Sequence, residues 1–90
     1  MNKSKSIELS NIALLACKKL LSSKEYSEIH DYINKYNEWG LGMETLIDSL
    51  YEEKQYLEKE QFEKIKEAMV SMGLSESNRM EKLSHNVKNT

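Results

Sequence analysis

The chain has 90 residues, enough for one domain and too few for two with separate cores. Apolar residues make up 39% and charged residues 31%, with a formal net charge of −2. Three glycines and no proline argue against an all-β sandwich or barrel, and no apolar run approaches the ~20 residues that span a bilayer.

The basic start, Lys3 and Lys5, is followed by no uninterrupted apolar segment or small-residue cleavage site, so no secretory leader is read. Four helices follow from the apolar period, and the predicted fold class is all-α, a small bundle of about four helices. The first covers residues 6–21. Leu9, Ile12, Ala13, Ala16 and Leu20 share its apolar face, with Cys17 and Leu21 widening it. The second covers 23–36. Ser22 and Glu25 have capping-box spacing, and Tyr26, Ile29, Ile33 and Tyr36 form its stripe. Tyr32 lies off that stripe and is expected to be exposed. The third covers 38–53, with Trp39, Met43, Leu46, Ile47 and Leu50 inward. Gly40 and Gly42 either shape its entry turn or let another backbone approach closely. The fourth covers 58–72, with Phe62, Ile65, Met69 and Met72 on one narrow face and Gly73 placed to end it. Residues 1–74 thus form the expected helical domain. Residues 75–90 are a polar tail, either a short helix through Met80, Leu83 and Val87 or disordered.

The small net charge hides an asymmetry. Residues 1–24 carry +4, residues 25–67 carry −7 and residues 68–90 carry +1. An acidic middle repels nucleic-acid phosphates and attracts basic surfaces. On the fourth helix the charges alternate in sign, as on an ordinary solvated face. On the third, Glu44, Asp48 and Glu52 fall at i, i+4, i+8 with no lysine between them, flanked by Leu41 and Tyr51. Like charges at that spacing destabilise a helix, and tyrosine is a frequent interface anchor. Glu28, Asp31 and Tyr32 extend the theme on the second helix. These eight residues form the candidate partner-binding surface.

No phosphate-binding, dinucleotide-binding or nucleophile-elbow motif occurs. No cofactor and no metal are expected, since one cysteine and two distant histidines offer no zinc spacing. The lone Cys17 excludes an internal disulfide framework and suits a reducing cytoplasm. Its apolar helix favours a buried, inert thiol. His30 beside Asp31 reads as a surface pair. Enzyme activity is not expected.

The stretch from Asn37 to Leu74 resembles the MafI-type immunity proteins of bacterial polymorphic toxin systems, including contact-dependent inhibition. The pattern is Asn37-Glu38-Trp39-Gly40-Leu41-Gly42-Met43-Glu44-Thr45-Leu46, then Asp48-x-Leu50-Tyr51-Glu52. A second block begins at Leu57-Glu58-Lys59 and runs on to Met72-Gly73-Leu74. The chain has Trp39 at the family's aromatic position and Gly42 where alanine is commoner. The resemblance implies a cytoplasmic, non-enzymatic protein whose partner is the C-terminal nuclease domain of a cognate toxin, including RNases of the EndoU type. It implies no direct contact with nucleic acid or membrane. The eight site residues come from the charge pattern and are not supplied by the family. The alternatives are a helical adaptor or regulator that binds another basic protein, a helix-turn-helix nucleic-acid binder using the N-terminal lysines, and a small enzyme.

Overall fold

The computed structural model describes residues 3–88. Five helices appear: α1 Lys3–Ala16, α2 Ser23–Asn34, α3 Trp39–Glu52, α4 Lys59–Ser71 and α5 Asn78–Ser84, with a 3₁₀ turn at Lys18–Leu20 after α1. The all-α expectation holds. The bundle has one helix more than four, because residues 78–84 are helical and Met80 and Leu83 enter the core. Val87, the third member of that apolar row, lies beyond α5 and is half-buried. It sits in a parallel bridge with Leu57: Leu57 N–H donates to Asn86 O at 2.8 Å, and Lys88 N–H donates to Leu57 O at 2.8 Å.

The helix ends are built as the local sequence dictates. Ser22 Oγ accepts from Glu25 N at 3.1 Å while Glu25 Oε1 accepts from Ser22 N at 2.8 Å, the reciprocal capping box. Gln61 links two helix ends. Its Oε1 accepts from Glu58 N at 2.8 Å, and its Nε2 donates to Ala16 O at 3.0 Å. Gly73 takes φ +73°, and Leu74 N–H returns to Met69 O at 2.8 Å. The same closure ends α3, where Gln55 N–H donates to Leu50 O at 2.9 Å, but there Lys54 occupies the left-handed position at φ 54°.

The core comprises Ala13, Leu14, Cys17, Ile29, Ile33, Met43, Leu46, Ile47, Leu50, Leu57, Ile65, Ala68, Met69, Met72, Met80 and Leu83. Two antiparallel helix pairs enclose it. In the first, α1 lies on α4. The Ser6 and Ser71 hydroxyls are hydrogen-bonded at 2.9 Å, and Ser71 Oγ donates to Ala68 O at 2.6 Å. The inward face of α1 is Ser6, Ser10, Ala13 and Leu14, continued by Cys17 just past its end. It is rotated from the purely apolar face expected, so that Ile12 is exposed. Ser6, in hydrogen-bond contact with Ser71, lets α1 sit close to α4, and a leucine there would hold the helices apart. In the second pair, α2 packs on α3 around Gly42. A Cβ added there would lie 2.8 Å from Ile33 Cγ1 and 3.2 Å from Tyr32 Cβ. Of the two roles open to Gly42, close approach is the one realised. At Gly40 the nearest atom, Met72 Sδ, would be 3.9 Å away. Asn11 and Asn34 join the pairs through reciprocal side-chain amide bonds of 2.9 Å each.

Gly42→Ala should therefore destabilise the fold by about 1–3 kcal/mol through overpacking, while Gly40→Ala should be neutral or stabilising by up to about 1 kcal/mol. Lys54→Gly should stabilise by ~0.5–1 kcal/mol, because glycine carries no left-handed penalty at the end of α3. Urea melts of the three variants check these signs.

Candidate functional site

The eight residues expected to form a binding surface fall on α2, on α3 and in the first turn of α3. The structure divides them into two groups. Glu28, Asp31 and Tyr32 line a shallow pocket on α2 with Lys24, Ser27 and Tyr36. Asp48, Tyr51 and Glu52 line a groove of about 410 Å³ between α3 and α5, with Ile47, Asn78, Arg79 and Lys82. A third depression, between α2 and α3, joins Glu25 and Glu28 to Thr45 and Ser49. Leu41 is exposed near the start of α3, and Glu44 is half-buried one turn on. Among the described residues no three His, Cys, Asp or Glu side chains are placed to share a metal ion.

The acidic row of α3 is not unbalanced, as its sequence alone suggests. Arg79 reaches across from α5. Its Nε donates to the two Asp48 oxygens at 3.0 and 3.2 Å, and Nη1 donates to Glu44 Oε2 at 3.3 Å. The Asp48 hydrogen bond, then the charges of Asp48 and Glu44, hold the guanidinium above its ordinary range. Lys82 Nζ stands 5.8 Å from the centre of the Tyr51 ring, a cation–π contact. Arg79 lies 31 and 35 positions along the chain from Asp48 and Glu44, so local spacing gave no sign of it. The signal present was the i, i+3 row of Met80 and Leu83, which fixes the side of α5 that faces α3 and with it the direction of Arg79.

On α2 the balance differs. Lys24 is the single cation among the residues lining the two α2 pockets, against Glu25, Glu28 and Asp31. Glu25 also meets Glu53, at the end of α3. Hydrogen bonding between the two carboxyls lowers Glu25 and raises Glu53, with the Glu25 and Glu52 charges adding to the second shift. The Ser22 backbone N–H contributes to the first. This like-charge contact was missed because Glu53 reads as the last residue of a helix with no visible neighbour.

The tyrosines exchange their expected roles. Tyr32 is half-buried against α3, and Tyr36 is 55% exposed, with ring centres 6.4 Å apart. The reason is that α2 stops at Asn34 and Asn37 turns back at φ 55°, which takes Tyr36 off the inward stripe. Trp39 is half-buried at the first position of α3 and packs on the core, with Lys3 Nζ 5.6 Å from its ring centre. Cys17 is fully buried, and desolvation pushes its thiol up to about 12, so no nucleophilic thiolate is offered at neutral pH. Tyr26 stacks on His30 at 6.2 Å, and both histidines of the chain are exposed.

The Glu25–Glu53 contact has a definite pH signature. Glu53 binds its proton more tightly in the folded state, so its contribution to stability is present at low pH and lost as pH rises through its raised value. Glu25 acts oppositely, contributing above the carboxylate range and losing that contribution as pH falls. Glu53→Gln supplies a permanent amide donor to Glu25. It should raise the melting temperature at neutral pH and leave it unchanged below the carboxylate range. Equal shifts at both pH values would show that the two side chains do not meet.

No family model, curated protein or solved structure matches the chain.

Proposed function

We propose that the chain is an immunity protein of the MafI type, which binds and neutralises the nuclease domain of a toxin delivered between bacterial cells. The toxin domain is an RNase of the EndoU kind or a related fold. The antidote acts in the cytoplasm by steric and electrostatic blockade and performs no chemistry of its own. The resemblance across residues 37–74 supplies the family. The observation that carries the reading is the acidic surface of α2 and the end of α3: Glu25, Glu28 and Asp31 line two depressions, Glu53 adjoins Glu25, and among the described residues none of the four is in an ion pair. Carboxylates brought into contact on a free surface cost stability, and a cationic partner relieves that cost. A nuclease active site is cationic because it must hold phosphates. Complementary charge also speeds association.

The surface is built for contact on other counts. Tyr36 stands exposed beside the acids and Tyr32 half-exposed, and tyrosine supplies rigid contact area at low entropic cost. Leu41 and Tyr51, 44% and 40% exposed, continue the apolar component across α3. Glu44 and Asp48 contribute less charge than their spacing suggests, because Arg79 already engages both. Glu52 is exposed in the neighbouring groove. A tight pair buries about 800 Å² on each side, roughly a seventh of this chain's 5668 Å² surface.

The deciding experiment is co-expression with the toxin domain encoded immediately upstream, followed by pull-down and RNA-cleavage assays. A stable complex with cleavage abolished is expected. No complex and undiminished cleavage would remove the reading for that toxin and leave an adaptor for another basic protein. Within the complex, Glu28→Lys with Asp31→Lys should slow association about tenfold or more at low salt and leave the melting temperature nearly unchanged. Full neutralisation by that double variant would sink the α2 assignment.

A further inference from the structure

A second surface lies on the α1–α4 pair. A groove of about 490 Å³ is walled by Leu9 of α1 and Val70 of α4, with Lys5, Glu63, Lys66 and Glu67 on its rim. Val70 is 55% exposed, and Ile12, one turn on from Leu9, is 40% exposed. None of the groove's lining residues belongs to the acidic depressions on α2.

The rim carries two charges of each sign, so it favours neither a basic nor an acidic partner. Its order along α4 is more specific. Lys59, Glu63, Lys66 and Val70 recur at i, i+4, i+7, i+11, which places them in one row, and all four are exposed. Among the described residues the ion pairs join Arg79 to Glu44 and Asp48, and Lys88 to Glu58, so neither Glu63 nor Lys66 takes part in one. Reversing the row end for end sets Glu63 opposite Lys66, Lys66 opposite Glu63, and Val70 opposite the aliphatic stem of Lys59. A row that is complementary to its own reversal matches a two-fold axis, where the same patch serves both partners.

We infer that the α1–α4 face pairs two copies of this chain across a two-fold axis, with Glu63 of each α4 against Lys66 of the other and Leu9 and Val70 closing the groove between them. The ion pairs set the register, and burial of Leu9, Ile12 and Val70 supplies the apolar contact. The dimer leaves the acidic α2 surface of each copy uncovered. Because the register rests on exposed charges, association weakens as salt is added.

Sedimentation equilibrium on the full chain tests this from about 10 µM to about 1 mM, a range that captures weak association. The mass should rise from one copy to two across that range. Glu63→Lys alone, or Lys66→Glu alone, sets like charges against each other and should weaken association by about tenfold or more. The two changes together restore opposite charges across the axis and should restore the dimer. Circular dichroism melts at the lowest concentration establish that each variant is folded. A monomer mass throughout, single variants that associate as the parent does, or a double variant that stays monomeric would each overturn the proposal.

Discussion

The fold depends on how closely two helix pairs can approach. At Gly42 there is no room for even one carbon between α2 and α3. At Ser6 and Ser71 the hydroxyls of α1 and α4 are in hydrogen-bond contact. These small residues draw the backbones together, so that leucines, isoleucines and methionines on either side interdigitate and close a core. A chain this short has little apolar surface to spare, and close packing makes the most of it. Ser10 marks the limit of the arrangement: its hydroxyl is buried with no hydrogen-bond partner among the described residues.

That constraint also explains which parts of the fold were legible. The stripes of α3 and α4 and the ends marked by Ser22, Glu25 and Gly73 follow from local rules, and they appear where those rules put them. The inward face of α1 did not. A period search weights large apolar residues, whereas this helix turns serines inward to gain proximity. Hydrophobicity alone therefore rotated the face toward Ile12, which solvent reaches. Tyr36 was misplaced for a different reason: α2 ends two residues before it, and helix ends are weakly written in sequence.

The candidate surface was legible by half. The acids of α2 and α3 are visible as a block of charge, and the structure brings Glu28 and Asp31 together on α2. The one cation that answers Glu44 and Asp48, Arg79, arrives from α5 through a tertiary contact that no local spacing encodes. Nor could spacing reveal that Glu25 and Glu53 meet. The outcome is a protein with two electrostatic edges. Beside α5, Arg79 answers Glu44 and Asp48; among the described residues no ion pair answers the acids of α2. A surface that leaves like charges in contact retains a local instability, and such retention is intelligible where another molecule completes the site.

The bridge between Leu57 and Val87 has a consequence for how the molecule is made. Leu57 is fully buried in the connection between α3 and α4, yet both of its backbone hydrogen bonds run to residues 86 and 88. On the ribosome, α1 to α4 emerge first, while the partners of Leu57 and the Met80–Leu83 seat on α3 are still missing. The nascent chain at that stage exposes one side of an open core and two unpaired backbone groups. Completion therefore waits on a segment synthesised after α4, which covers the open side of the core and pairs Leu57.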